Sequence, residues 1–266
     1  MITQGTRKPA SHPFAPYPAV VTGEHQLSPE IFDKVFNQAA ESEWVQSIFA
    51  EELPAEVDPF SFITLSGLED IVAWLDLSPN SLLVDLACGR GGPGLWLARQ
   101  TGAELIGVDF STVGIDHARQ RANDLARDVT TKYVVADAAS TGLPDTAADG
   151  LVCVDAIQLM AHRADVMREV HRVLKPGARA AFTTWEEPSR LADLAVIFEE
   201  AGLETVLVEE RSEWLERERR IFERAQFESA TNDDPGLKSL ADEADRVLPV
   251  IDLARRVLGI AQRPIR

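Results

Sequence analysis

Residues 84–94 read VDLACGRGGPG, four glycines and a proline packed directly behind a short apolar run. The run itself, SLLVDLA at 81–87, has the near-continuous apolar character of a strand buried on both faces. Pro93 suits a first helical turn, so 92–100 reads as a helix entered from the strand through a glycine-rich turn. The same alternation continues outward. ELIGVD (104–109) is a second strand, and Ser111 then caps a helix with Ile115, Ala118, Ala122 and Leu125 on one stripe. KYVVAD (132–137) and GLVCVD (150–155) follow as strands, joined by the turn-rich STGLPDTAADG. A helix through Ala164, Met167, Val170 and Leu174 should stop at Lys175-Pro176-Gly177, and ARAAFTTW (178–185) is the fifth strand. Five strand–helix alternations predict an α/β fold with a doubly wound parallel sheet. In such sheets ligands bind at the carboxyl ends of the strands, near the switch in strand order.

Composition narrows the partners. The 266 residues are 45% hydrophobic, ample for a core, and carry a formal net charge of −17. An acidic chain without a basic stripe is a poor match to nucleic acid or an anionic membrane, which leaves small molecules or proteins. A homo-oligomer is compatible with this reading. No run approaches the roughly 18 uncharged apolar residues of a membrane helix. The proline-rich start lacks the continuous apolar segment of a secretory signal, so a cytoplasmic protein is expected. Cys88 and Cys153 sit in different motifs with no C-x-x-C partner, so neither a metal site nor a disulfide framework is expected.

Asp85, Asp109, Asp137 and Asp155 each finish or follow a predicted strand, which puts four carboxylates along one edge of the sheet. Two cofactors compete for the loop between the first strand and its helix. Gly89, Gly91 and Gly94 fit the G-x-G-x-x-G spacing of a dinucleotide turn. That turn must hold a pyrophosphate, which an acid directly ahead of it repels. S-adenosylmethionine (SAM) has no phosphate, and Asp85 suits its cationic part while loop amides meet its carboxylate. Asp109 could hold a ribose in either case. The tyrosine of a short-chain dehydrogenase is missing, because Tyr17 and Tyr133 lie in no Y-x-x-x-K. The residues favour SAM.

VDLACGRGGPG, GVDFS, VVADAASTGLP, LVCVDAIQLM and RVLKPGARAAFTTW, in this order, resemble the motifs of class I SAM-dependent methyltransferases. The likeness is greatest to the small-molecule branch of ubiquinone-type and natural-product tailoring enzymes. It covers about 82–185 strongly and EEAGLETVLVEE weakly. It implies a Rossmann-like seven-stranded sheet, parallel with one antiparallel strand, with LETVLVEE (203–210) and RVLGIAQRP (256–264) as the last two strands. It also implies methyl transfer from SAM, with S-adenosylhomocysteine as product, to O, N or C of a hydrophobic small molecule. A cyclase, isomerase or decarboxylase that keeps SAM intact is the alternative on the same fold. By the resemblance, Asp85, Ala87, Gly89 and Gly91 surround the methionine portion, and Asp109 takes the ribose hydroxyls. Phe110 lies against adenine, Asp137 meets the adenine amino group beside Ala138, and Asp155 faces the methionine portion and the acceptor. Ala87 departs from the glycine common in this loop.

The flanks supply the rest. Residues 1–27 read as an extended arm, 28–78 as an N-terminal helical cap, 79–211 as the SAM-binding core, 212–255 as a helical insertion and 256–266 as the last core strand. In the cap, LSPEIFDKVFNQAAESEWVQSIFAEEL is one or two helices begun by Ser28 and Pro29, and LSGLEDIVAWLDL is another. A further helix spans 189–201. The insertion reads as a long helical stretch with Leu237, Leu240, Ala244, Val247, Ile251 and Ala254 on one stripe, kinked or broken at Pro249, and forms a lid. Removing residues 1–50 should then spare SAM binding and abolish turnover. A base is needed only where the acceptor loses a proton. The candidates are His162, Gln158 one turn after Asp155, and Glu186 with Glu187 after the fifth strand; His117 and His171 read as structural, and His12 and His25 fall in the arm. Trp44, Phe49, Phe60, Phe62, Trp185, Trp214 and Phe222 are expected to line an apolar acceptor cleft.

Overall fold

The computed structural model describes residues 28–51, 53, 54, 57, 61–186 and 193–265. The expected arm, Phe60, Glu187 and the start of the 189–201 helix lie outside the described residues.

Two helices open the described chain, α1 (Pro29–Glu41) and α2 (Glu43–Ala50). They separate because Ser42 turns extended and its hydroxyl accepts the Val45 amide at 3.0 Å, capping the second helix. Thr64 caps α3 (Leu65–Leu75) in the same way, and Asp76 ends it in the left-handed region. The alternating core then runs β1 (Leu82–Leu86), α4 (Gly92–Thr101), β2 (Glu104–Asp109), α5 (Thr112–Leu125), β3 (Thr131–Val135), β4 (Ala148–Val154), α6 (Arg163–Val173) and β5 (Leu174–Glu186). It closes with α7 (Asp193–Glu200), β6 (Glu204–Glu210), α8 (Ser212–Ser229), α9 (Pro235–Val247) and β7 (Arg255–Gln262).

The seven strands are ordered β3-β2-β1-β4-β5-β7-β6. All pairs are parallel except those of β7, which runs antiparallel to both β5 and β6. Strand order reverses between β1 and β4, so the ligand crevice opens at their carboxyl ends. One face of the sheet is covered by a core including Leu68, Leu95 and Ile115, the other by one including Met167, Val170 and Phe198.

Two boundaries differ from the sequence reading. Lys175-Pro176-Gly177 does not end a helix but begins a strand: α6 stops at Val173, Leu174 already pairs with Ala148, and Gly177 takes φ 83° where the register shifts. The insertion is two helices rather than one. Asp234 accepts the Leu237 amide at 2.7 Å and Pro235 takes the first position, so α9 starts afresh after α8. Pro249 falls within a 3₁₀ turn, Leu248–Leu253, that leads into β7. The expected stripe from Leu237 to Ala254 is buried, and it forms a third core with Ala39, Val45 and Phe49 of the first helices. No helix among the described residues is long and apolar enough to cross a membrane.

Candidate active site

The chain leaves β1 by a climb through the left-handed region at Ala87 (φ 57°), Gly89 (φ 50°) and Gly91 (φ 83°). Alanine there costs on the order of 1–2 kcal/mol that glycine would not. The loop is then clamped from below. The Gly89 amide donates to Asp109 Oδ2 and the Ser111 amide to Asp109 Oδ1, each at 2.8 Å, so one carboxylate at the end of β2 holds two loops. Each oxygen retains a lone pair for a ligand hydroxyl. Gly94 lies so close to Asp85 that a Cβ would sit 2.3 Å from Oδ2, and its amide donates to that oxygen at 3.1 Å.

Asp85 is only 2% exposed, and among the described residues the Gly94 amide is its one hydrogen-bond donor. Burial pushes its carboxyl up to about 8; the Gly94 bond opposes the shift and the Asp109 charge adds to it. Burial also raises Asp109, against the pull of its backbone donors. A buried acid with so little compensation is a place for a cation. Next along the edge, Phe110 is 36% exposed and tilted against Phe32 of α1, ring centres 5.4 Å apart. Asp137 is exposed, with Oδ1 accepting the Ala139 amide at 2.7 Å, and Ala138 is half-buried beside it.

These groups face one cavity of about 1030 Å³. Its walls include the glycine loop, residues of α1 and α2, and Gly236, Ser239, Leu240, Glu243 and Arg246 of α9.

The methyltransferase domain family matches residues 84–182, the span that carries every loop of this edge through the fifth strand. Methyltransferase GfsG of Streptomyces halstedii is 28% identical over 206 residues, which cover 77% of this chain and 73% of that protein. The 2-phytyl-1,4-naphtoquinone methyltransferase of Nostoc punctiforme is 30% identical over 151 residues, 54% of this chain and 66% of that one. The chain belongs to the class I SAM-dependent methyltransferases. Its fold also matches the crystal structure of the [4+2]-cyclase SpnF, with TM-score 0.70 and 21% identity over 90% of this chain and 97% of that one. Phosphoethanolamine N-methyltransferase 2 of Haemonchus contortus, in a complex containing S-adenosylhomocysteine, matches with TM-score 0.71 and 17% identity over 90% of this chain and 61% of that one.

Within this methyltransferase, Asp85, Ala87, Gly89, Gly91, Asp109, Phe110, Asp137, Ala138 and Asp155 all line the cavity. Asp155, however, is already engaged by protein donors. Its Oδ2 accepts from Ser61 Oγ and the Phe62 amide, both at 3.0 Å. Its Oδ1 accepts from Thr183 Oγ1 at 2.6 Å and from Arg256. Gln158 also lines the cavity with both ends engaged, Nε2 donating to the Asp155 carbonyl at 2.8 Å and Oε1 accepting from Thr184 at 3.0 Å. His162 is exposed on the rim, at the start of α6. Glu186 does not line the cavity. Its neighbour Trp185 does, and successive side chains on a strand point to opposite faces, so Glu186 turns away. There Oε1 accepts the Leu194 amide at 3.1 Å and Oε2 pairs with Arg255 at 2.9 Å.

Of the aromatic residues expected around the acceptor, Phe49, Phe62 and Trp185 line the cavity. Trp214 and Phe222 are instead fully buried in the core. Trp214 lies over Gly67, where a Cβ would meet its ring at 2.6 Å, and its Nε1 donates to Thr64 at 3.1 Å. Trp44 is not among the lining residues.

Several residues of the site escaped the sequence reading. Phe36 lies against the glycine loop, 3.2 Å from where a Cβ on Gly89 would be, and Asp33 accepts from the Ser111 hydroxyl. Phe32, Asp33 and Phe36 share one face of α1, adjacent to the stripe through Ile31, Val35 and Ala39 that dominates the sequence pattern. Arg256 and Ser61 carry no local signal, and of the α9 residues that line the cavity only Leu240 belongs to the expected stripe.

Proposed function

We propose that this enzyme transfers the methyl group of SAM to a hydrophobic small molecule of the natural-product kind, in the cytoplasm and without a nucleic-acid partner. The observation that carries the reading is the cavity, which runs without interruption from the glycine loop to an aromatic chamber walled by Phe49, Phe62 and Trp185. Relatives named 2-phytyl-1,4-naphtoquinone methyltransferase and 27-O-demethylrifamycin SV methyltransferase support an acceptor of this kind.

The site fits the cofactor. Asp85 offers a buried, under-compensated acid to the cationic methionine end, and the amides of the loop around Gly89 and Gly91 suit its carboxylate. Asp109 has lone pairs for the ribose hydroxyls, while Phe110 and Ala138 border a slot for adenine with Asp137 at its edge. SAM supplies an activated methyl carbon on a sulfonium. The protein's task is then to hold the acceptor in line at about 3–3.5 Å and to exclude water. The cap at 28–78 and the insertion at 212–255 serve as the walls that do so, and we read them as a lid over the core at 79–211 and 256–266. Asp155 and Gln158 brace this arrangement, tying β4 to Ser61, Thr183, Thr184 and Arg256.

Mass spectrometry of reactions with methyl-labelled SAM tests the proposal. A product heavier by one methylene with S-adenosylhomocysteine released is expected. A product of unchanged mass with SAM intact would instead establish the second reading, a cyclase or isomerase, which the likeness to SpnF supports only at the level of fold.

A further inference from the structure

The acceptor end of the cavity contains a carboxyl group that nothing in the fold requires. Most acids lining the cavity have work elsewhere. Asp85 and Asp109 hold the glycine loop, and Asp155 accepts from four donors. Asp165 pairs with Arg168, and Glu218 lies 3.4 Å from the Arg256 guanidinium. Glu243 is different. It lines the cavity, it is half-buried, and among the described residues it makes neither a hydrogen bond nor an ion pair.

Its position on α9 is directed. Gly236, Ser239, Leu240, Glu243 and Arg246 are spaced at three and four residues, so one helix face lines the cavity. Leu240 supplies the apolar surface, and Ser239 and Arg246 flank Glu243 one turn away on either side. Ser61, Asp155, Gln158, Glu218 and Arg256 also line the cavity but are held by protein partners, and aromatic and aliphatic side chains such as Phe49, Phe62, Trp185 and Leu240 stand beside them. From the elements packed against α9, the charged group facing Glu243 is Glu218 of α8, with Arg246 on its own helix; α1 and α2 contribute only apolar side chains and Gln38 to the lining. Gly236 lets α9 approach α1, since a Cβ there would meet the Gln38 carbonyl at 2.7 Å.

We propose that Glu243 is the catalytic base of this methyltransferase and that the acceptor is a hydroxyl group. The inference rests on the methyl-transfer reading above. The acceptor oxygen forms its bond to the methyl carbon as the carbon–sulfur bond breaks, and that electron pair leaves on sulfur, giving neutral S-adenosylhomocysteine. The hydroxyl proton passes to the Glu243 carboxylate and from there to water. Burial pushes this carboxyl up to about 7, the Glu218 charge raising it further and Arg246 opposing. A base with that affinity is matched to the task near neutral pH. A neutral amine acceptor would need no such group before attack.

The test uses the full chain, saturated with methyl-tritiated SAM, against a fixed set of hydroxylated macrolactones, phenols and naphthoquinols together with their amine counterparts. We expect label on oxygen, and a rate at saturating SAM that rises with pH through the region of 7 and then levels. Glu243→Gln should lower kcat by about 10²–10⁴-fold, the usual range for losing a general base, and flatten the pH profile. Its calorimetric affinity for SAM should be unchanged, and its thermal stability equal or higher, since a half-buried charge facing Glu218 is removed. Glu243→Asp, which keeps the carboxylate on a shorter stem, should recover part of the rate. Label on nitrogen or carbon, or a Glu243→Gln rate equal to the wild type, overturns the assignment while leaving methyl transfer intact. SAM binding with no label on any probe overturns both.

Discussion

The two halves of the cavity are built by different kinds of contact. In the cofactor half, acids meet amides nearby in the chain: Asp85 with Gly94 nine residues on, Asp109 with Ser111 two residues on and with Gly89 twenty residues back, Asp137 with Ala139 two residues on. In the acceptor half the bonds span long separations. Asp155 reaches Ser61 across 94 residues and Arg256 across 101. Local contacts make a binding loop that one strand–turn–helix unit can carry. Distant contacts make a chamber whose shape depends on every element that closes it, and so one free to vary with substrate while the cofactor loop stays the same.

Substitutions can break this contrast, and the largest effect is expected where the halves meet. Phe36 is 5% exposed and packs α1 on the glycine loop, so Phe36→Ala should cost roughly 3–5 kcal/mol of stability. SAM affinity should fall with it. Removing residues 1–50, expected from the sequence to spare SAM binding, should on this geometry weaken it, because that deletion takes away Phe36 and the Asp33 contact to Ser111. Calorimetry with SAM on the truncated chain checks the point, and unchanged affinity would make α1 an acceptor wall only.

Asp85→Asn comes next. Loss of the charge should weaken SAM binding by roughly 3 kcal/mol, about two orders of magnitude in Kd. The ligand-free protein should respond in the opposite sense. The carboxyl lies at about 8 when folded against an ordinary 3.8, so the folded state holds its proton more tightly. The stability this gives is complete below about 4 and is lost as pH rises through 8. Asn does not undergo that loss, so at pH 8 the variant should melt at least roughly 4 °C higher without ligand, by differential scanning fluorimetry. A lower melting temperature would show that the Gly94 bond, not the burial, dominates at this site.

Glu186→Gln should separate stability from turnover. The ion pair with Arg255 is partly buried, and Glu186 also accepts the Leu194 amide, so the loss of the charge should cost roughly 1–3 kcal/mol. Because Glu186 lies outside the cavity, kcat at a temperature where the variant is folded should match the wild type. The smallest effect belongs to Asp137. It is exposed, and Asp137→Ala should change SAM affinity by only about 0.5–1.5 kcal/mol, while affinity for a cofactor analogue lacking the adenine amino group should not change.

Sequence alone determined the strands, their order of appearance, and the acids at their ends. Apolar runs ending in Asp85, Asp109 and Asp155, each followed by turn or helix-start residues, carry that information within about ten positions. The cofactor followed from the same short range, since an acid ahead of a glycine turn is a property of one loop. The break at Asp234-Pro235 was also written locally, as a cap followed by proline, and the long apolar stripe beyond it obscured it. Tertiary structure decided which side chains remain available to a substrate. Glu186 points away because pleating sets Trp185 inward, and Asp155 is engaged because Ser61, Thr183 and Arg256 converge on it from three other parts of the chain. Among the described residues, Glu243 makes neither a hydrogen bond nor an ion pair for the same reason. Whether a carboxylate is paired depends on what lies within about 3 Å of it, and in a folded chain those neighbours come from anywhere in the sequence.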